Sequence, residues 1–319
     1  MQVFRRAPPL SERRPCALTI GNFDGVHLGH QALLNELGRA ATARGLVSCV
    51  LTFEPHPREY FASIGRGQAP VRVLSLRDKL DVLAGCRVQR VNIAHFNGKL
   101  AQMSAEDFID RVLVQSLQVR YLLIGDDFRF GAQRRGDLAM LRTHGANHGF
   151  TVQAMATISN ERGRISSSAI REALQAGDLA RVRALLGRPY TMAGHVIHGR
   201  KLGRTLGFPT LNLRVPFERP ALHGVFAVRV HGLRDHEAAP YNAVASLGTR
   251  PAVENNGQLL LEVHVFDFDE SAYGRLVQVE FVSKLRDEAH YPTLDELRRQ
   301  IDEDARQARA VLNKGPNDG

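Results

Sequence analysis

Two segments of the chain combine residue types and spacing suited to phosphate chemistry. The first reads Gly21-Asn22-Phe23-Asp24-Gly25-Val26-His27-Leu28-Gly29-His30. Gly21 and Gly25 permit a tight turn and close backbone approach. His27 and His30 stand three residues apart at the start of a helix, so both rings can face its positive end. That end is itself an anion site. Two imidazoles there can bind a triphosphate and stabilise extra charge on an α-phosphorus under attack, without a covalent intermediate. An exposed helix face, or a satisfied pair in a core, would hold two histidines at the same spacing. The dinucleotide Gly-x-Gly-x-x-Gly pattern is not present, nor is the nucleotide-triphosphate loop with its lysine.

The second segment runs Gly199-Arg200-Lys201-Leu202-Gly203-Arg204-Thr205-Leu206-Gly207-Phe208-Pro209-Thr210-Leu211-Asn212. Its glycines and cations make a flexible basic loop that can wrap a triphosphate; an ordinary basic hairpin loop would read the same. Thr210 and Asn212 are two apart, so on an extended segment both side chains face one way. A hydroxyl and an amide oxygen are hard ligands of the kind Mg²⁺ accepts. A third stretch, Ser166-Ser167-Ser168 with Arg171, opens a helix. Its hydroxyls and N–H groups can face a phosphate, with the guanidinium one turn on. Plain N-capping would explain one serine of the three.

These residues need elements to place them. Short apolar runs at Cys16–Ile20, Leu46–Phe53, Val88–Ile93, Val119–Ile124 and Phe150–Ala156 alternate with helical stretches at Leu28–Arg44, Leu76–Ala84, Ser104–Leu117 and Asp137–His144. That alternation predicts a parallel sheet covered on both faces. Two short helices follow, Ser168–Gln175 and Asp178–Leu186. From Tyr190 the pattern changes to short runs at Thr191–Val196, Val225–Val230, Tyr241–Ser246, Leu259–Phe266 and Leu276–Phe281, separated by turn residues. This predicts a small antiparallel sheet or barrel. A last helix is expected from Thr293 to Leu312, with Thr293 and Glu296 as a capping box.

Composition narrows the classes. The 319 residues carry 42 Lys+Arg against 33 Asp+Glu, a net charge of +9. The first 186 residues hold 25 basic and 16 acidic side chains and the rest hold 17 of each, so the whole excess lies in the first part. An anionic partner is implied. A nucleic-acid-binding module would instead need a basic stripe with interleaved aromatics, and the cations here are dispersed. Met1–Leu10 has no apolar core of a secretory signal, and no stretch approaches the ~20 apolar residues of a membrane span. Cys16, Cys49 and Cys86 are odd in number and far apart, which argues against a disulfide framework and a cysteine zinc site. A cytoplasmic protein is expected, with no membrane, no nucleic acid and no obligate protein partner.

The motifs together resemble a known family. Gly-x-Phe-Asp-Gly-Val-His-x-Gly-His is similar to the adenylyltransferase motif of the bacterial bifunctional riboflavin kinase/FMN adenylyltransferases, the FAD synthetases. Thr52-Phe53-Glu54-Pro55-His56-Pro57, Gly125-Asp126-Asp127-Phe128-Arg129-Phe130-Gly131 and Ile165-Ser166-Ser167-Ser168-Ala169-Ile170-Arg171 resemble further segments of it, with Ser168 where Thr is usual. Leu-Gly-Phe-Pro-Thr-x-Asn resembles the riboflavin kinase signature, with Leu211 in place of Ala. Gly224-Val225-Phe226-Ala227, Gly248-Thr249-Arg250-Pro251 and Leu261-Glu262-Val263-His264-Val265-Phe266-Asp267 are also similar to family segments, and Ser246 stands where Asn is common.

The resemblance implies an α/β plus β fold. Residues 1–186 would form a Rossmann-like nucleotidyltransferase domain, a parallel sheet with flanking helices. Residues 187–319 would form the kinase domain, a small antiparallel β-barrel with a terminal helix. It implies that ATP and Mg²⁺ convert riboflavin to FMN, and that a second ATP converts FMN to FAD with release of pyrophosphate. His27 and His30 would act on the α-phosphate and Glu262 as the kinase base, although Glu262 could equally serve a structural salt bridge. Gly21, Phe23, Asp24, Asp127, Ser166, Ser167 and Arg171 would bind the nucleotide of the first reaction, and Asp127 could also belong to a turn. Gly199, Lys201, Gly203, Thr210 and Asn212 would bind that of the second, with Thr210 and Asn212 holding the metal. Phe61 and Phe130 could stack on the flavin or belong to the core. A nucleotidyltransferase with another acceptor is the runner-up, and the Pro-Thr-x-Asn segment argues against it.

Overall fold

A computed structural model describes residues 1–156, 159–160, 163–199, 207–215, 217, 220–236, 239–248 and 259–314. The chain forms two compact units: Met1–Pro70 with Lys79–Ser166, and Val71–Asp78 with Ser167–Gly319.

The first unit is built on a parallel sheet. Its strands are β1 (Gln2–Phe4), β2 (Cys16–Ile20), β3 (Val47–Glu54), β4 (Arg90–His95), β5 (Val119–Gly125) and β6 (Thr151–Met155), in the order β1-β4-β3-β2-β5-β6. Period-2 alternation splits β2 between two cores. Cys16, Leu18 and Ile20 pack with Ile109, Leu113, Leu122 and Leu141 on one face, and Ala17 packs with Leu37, Ala41 and Leu123 on the other. Helix α1 (Leu28–Ala43) covers the second face, so the polar turn ahead of it is anchored by buried leucine and alanine.

The strand order contains the information that positions the site. From β2 the chain moves outward through β3 and β4, whereas β5 and β6 lie on the other side of β2. The order therefore reverses between β2 and β5. In open α/β sheets a crevice forms at the carboxyl ends of strands at such a switch point. Ile20 ends β2 and leads into the Gly21–His30 turn; Gly125 ends β5 and leads into Asp126 and Asp127.

A two-stranded antiparallel hairpin, β7 (Ser159–Asn160) with β8 (Gly163–Arg164), follows the sheet. Its further helices are short: α2 (Pro57–Ser63), α4 (Gly98–Ala101), α5 (Ala105–Asp107) and α6 (Leu138–His148). Helix α3 (Leu76–Gly85) begins within the residues of the second unit and ends within the first. Helix α5 runs directly into a π-helical segment, Phe108–Ser116. Its widened turn is seen where the Leu117 amide donates to the carbonyl of Val112, five residues back, at 3.0 Å.

In the second unit α7 (Ser167–Gln175) and α8 (Leu179–Leu186) precede a closed antiparallel barrel of six strands. These are β9 (Tyr190–Ile197), β10 (Leu211–Arg214), β11 (Gly224–His231), β12 (Tyr241–Leu247), β13 (Leu260–Val265) and β14 (Leu276–Arg286), in the order β10-β13-β12-β11-β14-β9, with β9 returning to pair with β10. Leu261, Val263 and Val265 of β13 are buried, and Glu262 and His264 between them point outward. The terminal helix α9 (Leu294–Asn313) packs Ala308 and Leu312 on Val225, Ala227 and Val244. The α/β-plus-barrel architecture expected from the sequence is borne out. Sequence patterning missed β1, α2 and β10, which have only 3, 7 and 4 residues.

Candidate active sites

The turn after β2 is shaped by side chains as much as by glycine. Phe23 and Val26 take left-handed backbone, φ 48° and 41°, a conformation that costs non-glycine residues about 1–3 kcal/mol each. Both are buried, which holds them there. Thr52 donates its hydroxyl to the Asn22 carbonyl at 3.3 Å, and Lys79 Nζ donates to the same oxygen at 2.8 Å.

His27 is the N-cap of α1 rather than a residue of its first turn: its Nδ1 accepts from the His30 amide at 3.3 Å. The two imidazoles stack with centroids 3.7 Å apart and planes 13° from parallel. Phe23 lies 4.9 Å from His30 on centroids. A Cβ on Gly29 would stand 3.1 Å from the His27 ring, so the small residue between the histidines keeps that ring in place. Burial first, then the neighbouring His27 and Lys79, holds the His30 pKa well below its ordinary 6.5. His30 is therefore poised as a neutral ring beside the N-terminus of α1.

Two cavities open at this crevice. One, of about 230 Å³, is lined by Gly21, Phe23, His27, His30, Asp127 and Ser166. The other, of about 710 Å³, is lined by Phe53, Phe61, Phe96, Phe108, Phe128 and Phe130, with Arg58, Arg129 and Arg134. The cavities share Ile20, Gly21, Asp127 and Phe128. Of the expected residues, His27, His30, Gly21, Phe23, Asp127 and Ser166 meet in the first, and Phe61 and Phe130 in the second. Asp24 is buried within the turn, outside both walls. Ser167 and Arg171 fall in the second compact unit, on α7, where Arg171 Nε donates to the Val71 carbonyl at 2.6 Å. His56 caps α2: its Nδ1 accepts from the Arg58 amide and its own amide donates to Glu59.

Lys79 was not found from the sequence. It is 1% exposed, although lysine is almost never fully buried. Its signal is position: it stands beside Leu80 and one turn before Leu83 on the apolar side of α3, and it is one of five lysines in an arginine-rich chain.

In the barrel unit the strand register brings the other candidates together. Asn212 of β10 is the direct partner of Glu262 on β13, and Glu262 of Ser246 on β12. Residues in one row share a face, so all three lie on the outer wall. A cavity of about 240 Å³ forms there, lined by Thr210, Ser246, Glu262, Arg286, Tyr291 and Asp304 among others. Glu262 is exposed: its apolar strand neighbours turn inward, so burial imposes no cost on it. Asn212 is 6% exposed, and its Nδ2 donates to the Thr210 carbonyl at 3.4 Å. A Cβ on Gly199 would come within 2.3–2.6 Å of the Asn212 amide. That approach requires glycine.

One wall of this cavity rests on an ion pair. Arg286 Nε and Nη2 hold Asp304 Oδ1 and Oδ2 at 2.8 and 2.7 Å, and Gln300 donates to Oδ1 at 3.0 Å. Hydrogen bonding to Asp304 raises the Arg286 pKa. Asp304 interrupts the apolar stripe of Ile301, Ala305 and Ala308, a pattern visible in the sequence. Lys201 and Gly203, with Arg200, Arg204 and Thr249–Pro251, lie outside the described residues.

Comparison with known proteins follows the same division. A family model for FAD synthetase matches residues 10–169, and one for riboflavin kinase matches residues 186–312. The bifunctional riboflavin kinase/FMN adenylyltransferase of Haemophilus influenzae is 47% identical over 298 residues, covering 93% of this chain and 94% of the relative. The protein of the same name from Escherichia coli K12 is 43% identical over 97% of both chains. A solved structure called a macrolide-efflux protein, from Streptococcus pneumoniae, superposes with a TM-score of 0.76 at 27% identity over 94% of both chains. Among the described residues no helix is long and apolar enough to cross a membrane. Two family models in order and near-full-length relatives converge: the chain belongs to the family of bifunctional riboflavin kinase/FMN adenylyltransferases.

Proposed function

We propose that the chain makes FAD from riboflavin in two ATP-dependent steps, with residues 187–319 acting as the kinase and residues 1–186 as the adenylyltransferase. The observation that carries the reading is the stacked His27–His30 pair at the switch point, with an aromatic cavity adjoining it.

In the second step a phosphate oxygen of FMN attacks the α-phosphorus of ATP, and the bond from that phosphorus to the departing pyrophosphate breaks. His27 and His30 donate to the charge that builds on the non-bridging oxygens. Asp127 orients the nucleoside and Ser166 receives phosphate oxygens, with Gly21 and Phe23 framing the pocket and Asp24 fixing the turn. Ser167 and Arg171 hold the pyrophosphate. The isoalloxazine stacks against Phe61 and Phe130, and Arg58, Arg129 and Arg134 supply cations for the flavin phosphate.

In the first step the riboflavin 5′-hydroxyl attacks the γ-phosphorus of ATP, its proton passes to Glu262, and ADP leaves. The Thr210 hydroxyl and the Asn212 amide oxygen are hard oxygen donors that would suit Mg²⁺, and Gly199 leaves the Asn212 amide room. Bound there, Mg²⁺ supplies charge neutralisation to the ATP phosphates. Gly199, Lys201 and Gly203 contribute the loop around those phosphates.

The test is a product assay with riboflavin, ATP and Mg²⁺, resolving FMN from FAD. His30→Ala is expected to accumulate FMN, and Glu262→Gln to lose FMN formation while converting supplied FMN. Failure of both products in the wild type, or loss of both activities from either substitution, overturns the assignment.

A further inference from the structure

Away from both sites, the first unit places two imidazoles and a carboxylate against one another. His144 and His148 lie four residues apart on α6, with rings 10° from parallel and centroids 6.2 Å apart. Asp110 reaches them from the π-helical segment: its Oδ1 is 3.2 Å from His148 Nε2. One ligand atom from each of the three lies within 4.8 Å of the other two. We propose that Asp110, His144 and His148 form a binding site for a divalent transition ion of the Zn²⁺ class, distinct from the Mg²⁺ of catalysis.

Three observations support it. First, Asp110 Oδ1 is shielded from solvent and accepts no hydrogen bond among the described residues. That oxygen stands 3.2 Å from the His148 ring nitrogen without hydrogen-bond geometry, so a cation between the two atoms would be shared by both. Second, histidines at i and i+4 project from one helix face, the spacing by which a helix offers two nitrogens to one ion. Third, the carboxylate arrives from a segment whose backbone is widened to five-residue hydrogen bonds, and such segments recur at functional positions. Two nitrogens and one oxygen suit a borderline ion and leave a fourth position for water. Mg²⁺, which takes oxygen ligands, does not fit the donor set. Tetrahedral zinc would draw the three atoms to roughly 3.3 Å separations, a shift that half-exposed side chains can make.

The position gives the ion a structural consequence. Phe108, which opens the π-helical segment, lines the aromatic cavity. Asp137, the N-cap of α6, is paired with Arg129 of the same cavity wall at 3.1 Å. A bound ion would fasten these two walls together at their far ends.

The experiment is calorimetric titration of the full chain with Zn²⁺ at pH 7.5, in excess Mg²⁺, alongside His148→Ala and Asp110→Asn. One site of micromolar affinity is expected, weakened at least tenfold by His148→Ala and measurably by Asp110→Asn. Because the thiols and His27 also offer zinc ligands, imidazole NMR of the wild type reads the site directly: one equivalent of Zn²⁺ should shift the His144 and His148 ring signals first. Affinity unchanged in both variants, or zinc that leaves those two rings unshifted, overturns the proposal.

Discussion

The imidazoles of His27 and His30 lie face to face, and the backbone amide of one closes on the ring nitrogen of the other. The hydrogen bond occupies His27 Nδ1 and fixes the ring against the start of α1. The stack disfavours a second proton, because two imidazolium rings at 3.7 Å would repel each other in a shielded site. A bound polyphosphate reverses this balance, since its charge favours the protonated form.

His30→Ala should lower adenylyl transfer by about 10²–10³-fold, the usual cost of losing one donor to a developing oxyanion. FMN formation from riboflavin should be preserved. Separate assays of the two half-reactions check this.

The depressed His30 pKa has a consequence for stability. A base whose pKa falls on folding stabilises fully above its unfolded value, here 6.5, and loses that contribution as pH drops through the lower folded value. Melting temperature should therefore fall on acidification below about pH 6.5, and His30→Gln should flatten that limb. Identical acid limbs in the two proteins would assign the sensitivity elsewhere.

Lys79→Met should raise the His30 pKa, because it removes one of the three causes of the depression while burial and His27 remain. It should also slow adenylyl transfer by loosening the Asn22 carbonyl that Lys79 holds at 2.8 Å. NMR titration of the His30 ring in both proteins measures the first effect independently of the second.

Gly199→Ala should abolish most riboflavin phosphorylation and spare conversion of supplied FMN. Its methyl would occupy space within 2.6 Å of the Asn212 amide carbon and nitrogen, so the amide must leave its place. A drop of tenfold or more in kinase kcat/KM, with unchanged adenylyl transfer, is the expected reading.

Arg286→Met should destabilise the barrel unit by about 3 kcal/mol, since it leaves the 3%-exposed Asp304 carboxylate without its bidentate partner. The double variant Arg286→Met/Asp304→Leu should recover much of that loss. Denaturant unfolding of both variants separates the cost of a stranded charge from the worth of the pair.

What could be read from the sequence follows from how locally it was encoded. The parallel sheet and barrel were legible because their strands are runs of apolar residues ended by turns, with period 2 or helical spacing between them. The His27–His30 turn and the Thr210–Asn212 pair were legible because each lies within a few residues. Lys79 and the Asn212–Glu262–Ser246 row were not, because they depend on register and on chain segments far apart. The outward direction of Glu262 was not legible for the same reason: the alternation of β13 says that one face is buried, and only barrel closure says which. Left-handed Phe23 and Val26 gave no signal, since neither residue type favours that conformation.

The closed barrel and the open sheet also differ in their exposure to misassembly. The barrel strands are paired all round, so among the described residues the second unit presents no strand edge to another chain. The sheet of the first unit ends at β1 and at β6, each with one side unpaired. β1 is only three residues long, a poor template, and exposed Thr151 and Gln153 make β6 a polar edge. Intermolecular aggregation of this chain should therefore nucleate from the adenylyltransferase half when α6 detaches and bares β6, while the kinase barrel resists it.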